Sequence, residues 1–158
     1  MPILLARIDD RLIHGQVVVG WGRPLGIQRI VLVDDAVAAS AWEQDLYRMA
    51  VPPEFELVFA SVADAVPRLA AWQADPRRTL LLAGDISTMA AVAGDHAGIV
   101  RDVNIGGIHH RAGRRQRLPY VYLTDEEYAA LRALDAAGVH VTAQDVPTAA
   151  KVSLKGMA

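Results

Sequence analysis

The chain changes from a buried strand to a helix within Arg7-Ile8-Asp9-Asp10-Arg11-Leu12-Ile13-His14-Gly15-Gln16. The apolar run Ile3-Leu4-Leu5-Ala6 comes before this stretch and indicates a short buried strand. The run Val17-Val18-Val19-Gly20-Trp21 comes after it and is too apolar to lie on a surface. A charged segment between a strand and a helix is the usual position of a functional site in α/β proteins. We therefore expect the chemistry of this chain to centre on residues 7–16.

His14 stands where the helix is predicted to begin. Gly15 should let the backbone turn sharply beside the imidazole, and the free N–H groups at Gly15 and Gln16 should point toward it. Such N–H groups, together with the helix dipole, favour a bound anion. A neutral imidazole is a nucleophile near pH 7, which makes His14 a candidate to accept and pass on a phosphoryl group. The alternative is a loop histidine that only caps the helix.

Charged side chains precede His14 in the same stretch. Arg7 and Arg11 supply fixed positive charge and fork-shaped donors, which suit the oxygens of a phosphoryl group. Asp9 and Asp10 are expected to orient the arginines and the loop rather than act as bases, because a neutral imidazole can attack without one. The alternative is that the arginines only pair with these two acids.

Composition limits the classes of protein to which the chain can belong. Its 158 residues, 53% hydrophobic and 22% charged, suit one globular domain with a full core. A formal net charge of −2 argues against nonspecific nucleic-acid binding, and the lack of cysteine excludes disulfides and thiolate chemistry. Neither a secretory signal nor a bilayer-spanning run is recognisable. We expect a cytoplasmic protein whose membrane contacts come through partners.

Predicted strands alternate with predicted helices along the whole chain. This order predicts a three-layer α/β/α sandwich with a mainly parallel central sheet, formed by residues 1–158 as one domain. The predicted strands are Ile3–Ala6, Ile30–Val33, Phe55–Ala60, Thr79–Ala83, Ile99–Ile105, Leu118–Leu123 and Val139–Thr142. Ser40 with Glu43, and Thr124 with Glu127, form capping boxes that open helices, and Ser87 is predicted to cap another. Trp42, in the first of these helices, is expected to serve packing.

Polar and glycine residues follow several of these strands. Because the carboxyl ends of parallel strands share one edge, Asp34 and Asp35 are predicted to shape the rim around His14. Asn104, Gly106 and Gly107 belong to the same rim if their strand is parallel. The two glycines allow close backbone approach and positive φ, so this loop is either a second wall of the phosphoryl pocket or merely a tight turn.

Adjacent histidines and a basic loop follow that glycine pair. His109 and His110 are not expected to bind a metal, because neighbouring side chains diverge in extended backbone and no matching acid cluster is evident. The arginines of the loop are either a solvated turn or a docking site for an acidic partner surface. They are Arg111, Arg114, Arg115 and Arg117.

The run R-I-D-D-R-L-I-H-G-Q-V, residues 7–17, resembles the start of the mannose/fructose/sorbose-type IIB component of the bacterial sugar phosphotransferase system. Further matches extend the resemblance over nearly the whole chain. They are Val33-Asp34-Asp35, Met49-Ala50-Val51-Pro52-Pro53, Asn104-Ile105-Gly106-Gly107 and Gln144-Asp145-Val146-Pro147.

The resemblance implies a protein-N-phosphohistidine–sugar phosphotransferase. In that family the histidine of this motif, here His14, takes a phosphoryl group from a IIA phosphodonor protein and gives it to a sugar carried by the IIC and IID membrane components. No cofactor and no protein-bound metal are implied. The alternatives are a regulatory phosphoacceptor without a permease, a hydrolase with a transient phosphohistidine, and a noncovalent anion-binding or small-molecule-binding module. The sugar and the oligomeric state, including a homo-oligomer, stay open.

Overall fold

The computed structural model describes residues 2–158, which form a central parallel sheet covered on both faces. The strands are β1 Ile3–Ile8, β2 Arg29–Val33, β3 Glu56–Ala60, β4 Thr79–Ala83, β5 Asp102–Ile105, β6 Arg115–Leu118, β7 Val121–Leu123, β8 His140–Ala143 and β9 Val152–Ser153. The α-helices are α1 Asp35–Ala38, α2 Ala41–Ala50, α3 Val62–Ala65, α4 Leu69–Ala74, α5 Ile86–Ala93 and α6 Asp125–Ala136. A π-helix spans Gln16–Gly22, and short 3₁₀ turns span Val66–Arg68 and Leu154–Met157.

The main sheet has the strand order β3-β2-β4-β1-β5-β8-β9. The first six strands in this order pair in parallel, and β9 adds an antiparallel edge to β8. β4, predicted as a central strand, lies between β2 and β1 and is buried along its whole length. The predicted fold class is therefore confirmed.

Two hydrophobic clusters divide the core between the two faces of the sheet. In β2, Val31 and Val33 belong to the cluster with the side chains of α3 to α6, whereas Ile30 and Leu32 belong to the cluster with the π-helix. Neighbouring side chains of a strand point to opposite faces, so the two clusters are the two layers around the sheet. Within the described residues, no helix combines the length and apolar character needed to cross a membrane.

Three sequence predictions differ from the structure. The predicted strand Leu118–Leu123 is a hairpin of β6 and β7 outside the main sheet, because the chain turns at Pro119, whose nitrogen cannot donate to a ladder. α5 is capped by Asp85, which accepts from the Thr88 amide at 2.7 Å, and not by Ser87. The capping box of α6 is complete, whereas at α2 the Ser40 side chain caps without a bond from Glu43 in return.

Candidate functional site

Asp9 is a fully buried carboxylate at the carboxyl end of β1. Its Oδ1 accepts from the Arg11 Nε at 2.9 Å and from the Arg11 amide at 3.1 Å. Its Oδ2 accepts from Arg11 Nη2 at 2.7 Å, from the Gly107 amide at 3.2 Å and from Arg7 Nη2 at 3.4 Å. Burial by itself would raise the pKa of Asp9, but the hydrogen bonds from Arg11 outweigh it and hold that pKa below its ordinary value. Asp9 is therefore an ionised link between the two arginines.

Arg7 is fully buried, and both terminal nitrogens of its guanidinium donate hydrogen bonds within the fold, whereas Nε has no partner among residues 2–158. Nη1 donates to the side-chain oxygen of Asn104 and to the Gln144 carbonyl at 2.9 Å, and Nη2 donates to the Asp145 carbonyl at 3.1 Å. The guanidinium also lies 4.5 Å from the centre of the Trp21 ring. Burial lowers the pKa of Arg7 from its ordinary value. Contrary to the sequence prediction, Arg7 has no exposed donor for a phosphoryl group and instead joins β5 to the segments that follow β1 and β8.

Gly106 and Gly107 make room for these guanidinium groups. A Cβ at Gly106 would overlap Arg7 Nη2 and lie 2.7 Å from Asp9 Oδ2, and one at Gly107 would lie 3.2 Å from Arg11 Nε. Neither glycine has a positive φ. Of the two properties that glycine allows here, the structure uses close approach and not positive φ. The loop forms a wall of the ion-pair cluster, to which Asn104 contributes its contact with Arg7.

Arg11 is the arginine of the cluster that reaches solvent, with 32% of its side chain exposed. Its fork grips Asp9, and Nη1 donates to the Gln16 side-chain oxygen at 3.2 Å. The hydrogen bond with Asp9 raises the pKa of Arg11 above its ordinary value. Arg11 is therefore a fixed cation at the edge of the loop that carries His14.

His14 is half-buried and bonded to its own loop. Its Nδ1 lies 2.9 Å from the Leu12 carbonyl, which can only accept, so Nδ1 carries the proton of the neutral ring. Nε2 is enclosed and has no hydrogen-bond partner among residues 2–158. The His14 carbonyl accepts from the Val18 amide at 3.1 Å, where the π-helix begins.

The sharp turn of the loop lies at Leu12 and not at Gly15, as the sequence had suggested. Leu12 has a φ of +60°, whereas Gly15 has ordinary helical angles of −53° and −43°. The Leu12 side chain packs against Gly84, where a Cβ would approach it within 2.5 Å. A Cβ at Gly15 would meet nothing within 4 Å. Gly15 therefore leaves open space beside His14.

Asp10 joins the His14 loop to the segment that follows β5. Its carboxylate accepts from the His109 amide at 2.7 Å and from His109 Nδ1 at 2.6 Å. The His109 ring is largely exposed, and the His110 ring lies edge-on to Tyr122. No cluster of three or more metal-ligating side chains occurs among the described residues.

The basic loop is only partly solvated. Arg114 has 8% of its side chain exposed, bonds Glu127 at 2.8 Å and donates to the His109 carbonyl at 2.9 Å. Arg117 is 2% exposed, whereas Arg115 is 64% exposed and Arg111 is also at the surface. Two of the four arginines thus fix the loop and two face solvent.

Asp34 and Asp35 serve the helices beside the rim. Asp34 caps α1 by accepting from the Val37 amide at 2.9 Å, and Asp35 accepts from the Val62 amide at 2.9 Å. Asp34 bonds within its own helix start and Asp35 bonds to the start of α3, so neither joins the cluster around Asp9.

An apolar depression of about 220 Å³ borders His14 and includes none of the charged side chains of the cluster, and the sequence did not indicate it. It is lined by Ile13, His14, Gly15, Val18, Val19, Ala50, Val51 and Pro52. The sequence feature that could have indicated the depression is that two of the motifs carrying the family resemblance, residues 7–17 and 49–53, both line it.

Replacing Gly106 with alanine should destabilise the protein, because the new methyl group overlaps the buried Arg7–Asp9 pair. We expect the free energy of unfolding to fall by about 1–3 kcal/mol, as for other overpacked sites. Gly15→Ala is the matched control, since its Cβ enters open space in a helical conformation and should leave stability equal or higher. Urea unfolding followed by circular dichroism measures both. Equal midpoints would contradict the steric role of Gly106.

Replacing Asp9 with asparagine should lower the free energy of unfolding at pH 7 by about 3–5 kcal/mol, because it breaks a buried ion pair. The lowered pKa of Asp9 means that its carboxylate stabilises the fold above about pH 4 and loses this effect as pH falls through the folded-state pKa. The difference between wild type and variant should therefore shrink in acid. Asp95→Asn, at an exposed position, is the control and should show no such trend. A difference independent of pH would exclude the carboxylate charge as its source.

Known proteins resemble the chain over nearly its full length. Residues 3–158 match the family model described as the sorbose subfamily IIB component of the phosphotransferase system. The N-acetylgalactosamine-specific phosphotransferase enzyme IIB component 1 of Escherichia coli (strain K12) is 34% identical over 149 residues, which cover 92% of this chain and 91% of that protein. The mannose-specific EIIAB component of the same organism is 33% identical over 158 residues, and the chain spans 47% of its length.

The fold matches solved structures equally well. The crystal structure of the IIB domain of the sorbose permease from Klebsiella pneumoniae aligns with a TM-score of 0.85 at 30% identity. The alignment covers 99% of this chain and 96% of that one. Sequence and fold thus agree with the resemblance carried by residues 7–17: the chain belongs to the sorbose subfamily of IIB components of the sugar phosphotransferase system.

Proposed function

We propose that this IIB component, acting as one domain in the cytoplasm, carries a phosphoryl group on His14 from a IIA phosphodonor protein to a sugar. The sugar is held by IIC and IID membrane components, through which the protein contacts the membrane. One observation supports His14 most directly. Arg7, Asp9 and Arg11 bind one another and Asp10 binds His109, whereas the His14 ring bonds only to a backbone carbonyl and lines an apolar depression.

The first step is an in-line displacement between two imidazoles. The bond from phosphorus to a ring nitrogen of His14 forms as the bond to the donor nitrogen breaks. In the resting ring one nitrogen faces the Leu12 carbonyl and the other is enclosed, so the ring has to turn outward first. The turn breaks one hydrogen bond, which costs about 0.5–1.5 kcal/mol net. The sugar hydroxyl then attacks the phosphorus, an O–P bond forms as the N–P bond to His14 breaks, and the hydroxyl proton passes to water.

Arg11 and the backbone after His14 are proposed to hold the phosphoryl oxygens. Catalysis of phosphoryl transfer depends mainly on positioning and on stabilising charge. Arg11 is the exposed cation of the cluster, and its grip on Asp9 fixes where the charge lies. The N–H groups of Gly15 and Gln16 lie at the start of a helix, where they have no acceptor within the helix. Buried residues hold Arg11 in place and do not touch the phosphoryl group themselves: they are Arg7, Asp9, Asn104, Gly106 and Gly107. Asp10 anchors the loop to His109.

His14→Ala should abolish phosphorylation and leave the fold intact, since the His14 ring makes one hydrogen bond and belongs to no core cluster. The protein is incubated with radiolabelled phosphoenolpyruvate, the general phosphotransferase proteins and a IIA protein, and circular dichroism monitors folding. The wild type should yield an acid-labile, base-stable adduct.

Rapid release of phosphate instead would indicate a hydrolase, and absence of any adduct would indicate a noncovalent binding module. His109→Ala combined with His110→Ala is the control and should be phosphorylated normally, because it keeps the bond from the backbone amide of residue 109 to Asp10. Normal phosphorylation of His14→Ala would reject His14 as the acceptor.

Arg11→Lys should slow transfer more than it weakens folding, because lysine keeps the charge but cannot grip Asp9 with a planar fork. We expect a loss of about 2–4 kcal/mol in the barrier, by analogy with removing one oxyanion donor, and tenfold in rate for each 1.4 kcal/mol. Rapid-quench transfer from phosphorylated IIA protein measures it.

The chain offers a matched control for this substitution. Arg77 grips Asp75 with the same fork, from Nε at 3.0 Å and from Nη2 at 2.7 Å, in a turn just before β4 at the opposite edge of the sheet. Arg77→Lys should leave the transfer rate unchanged. If Arg11→Lys also transfers at the wild-type rate, Arg11 has no role in the reaction.

A further inference from the structure

Helix α2 exposes the side that an amphipathic helix normally buries. Trp42, Leu46 and Met49 are spaced by four and three residues, so they form one stripe along the helix. They are 66%, 53% and 83% exposed, and no residue of α2 is buried. The expectation that Trp42 serves packing is therefore wrong.

Other side chains of α2 hold it against the protein. The Tyr47 ring stacks on Phe59, with centroids 6.0 Å apart, and the Arg48 guanidinium lies 5.1 Å from the centre of the same ring. The helix is thus packed through an aromatic residue and a charged one, while its most hydrophobic stripe faces solvent. Exposed apolar patches of this kind mark interaction sites on soluble proteins.

The stripe continues into the depression beside His14. Ala50, the last residue of α2, lines the depression and follows Met49 directly. Val19, which is 53% exposed, lines it from the π-helix. We call Val19, Trp42, Leu46 and Met49 the apolar face. They are four of the six large hydrophobic side chains exposed among residues 2–158.

We propose that the apolar face is the docking surface for the IIA phosphodonor, and that the donor presents an apolar surface beside its own phosphohistidine. This proposal rests on the proposed function. The donor phosphorus has to come within bonding distance of a ring nitrogen of His14, and any protein that brings it there covers the depression that His14 lines. A donor contact at His14 is thus continuous with the apolar face.

The charges near the face favour an apolar protein partner over a lipid surface. Asp45 and Arg48 pair at 3.2 Å on α2, and Arg23 and Glu54 pair at 3.2 Å beyond it. These charges compensate one another, and Glu43 adds a further acid in the first turn of α2. Binding to anionic lipid needs a cluster of basic residues, which this surface does not offer.

A second copy of the chain is a poorer occupant than the donor. A dimer through the apolar face would cover the depression in both copies and keep donors from His14. A phosphocarrier must also release one partner before the next can bind, which suits a compact apolar patch and a transient contact.

The test compares a protein donor with a small one. Trp42→Gln combined with Met49→Gln removes most of the apolar face and keeps residues that favour helix. The donor is a phosphorylated IIA protein that phosphorylates the wild type. For the double variant, the IIA concentration that gives half the maximal rate should rise at least about tenfold, since buried aromatic anchors dominate binding at such contacts. The rate at saturating IIA and the rate with phosphoramidate, a donor too small to need docking, should stay unchanged. Leu25→Gln, at an exposed hydrophobic position outside the face, is the control and should behave as wild type.

The possible outcomes separate this inference from the proposed function. An unchanged half-maximal concentration in the double variant would overturn docking on the apolar face, and so would an equal loss with phosphoramidate. Analytical ultracentrifugation and flotation with anionic vesicles complete the test. A wild-type dimer that the substitutions dissociate, or vesicle binding that they abolish, would assign the face to another occupant and overturn the inference. A wild type that neither donor phosphorylates would instead reject the proposed function.

Discussion

The buried carboxylate of Asp9 is the interaction on which the site depends. It lies between two guanidinium groups in a region closed to water, where an unpaired charge would be strongly destabilising. The cluster joins segments that are distant in sequence, because Arg7 bonds to Asn104 in β5 and to Gln144 just after β8, while Arg11 belongs to the His14 loop. Removing Asp9 would leave two neighbouring guanidinium groups without a counter-charge. Gly106 is confined to glycine for the same reason, since the pair occupies the space that a side chain would need.

This network explains why two arginines of one motif have different roles. Arg7 lies on β1 and is covered by the Trp21 ring, so its donors are used within the fold. Arg11 lies beyond the end of the strand, where the loop emerges into solvent. Both carry the same charge, and burial alone separates the structural cation from the one that can meet a substrate.

His14 separates two surfaces of opposite character. One surface is the network of ion pairs around Asp9, and Asp10 extends the charged loop to His109. On the other side lies an apolar depression that runs onto α2. A phosphocarrier needs both, because a charged surface stabilises the transferred group and an apolar one lets a partner bind and leave without forming ion pairs. The positive φ of Leu12 sets the carbonyl that holds His14 between them.

The sequence by itself determined the order of the elements, the class of the sheet and the stretch that carries the site. These features are local: the continuous apolar run Thr79–Ala83 predicts a buried strand, and Thr124 with Glu127 predicts the start of a helix, as the structure confirms. Tertiary structure alone decided which arginine is buried, since both stand in the same charged stretch, residues 7–16. It also decided that Trp42 faces solvent, because helical spacing shows that a stripe exists but not which side of the helix meets the sheet. The physical reason is the same in each case. Burial depends on contacts with segments that are distant in sequence, and the residue pattern of one segment carries no information about those contacts.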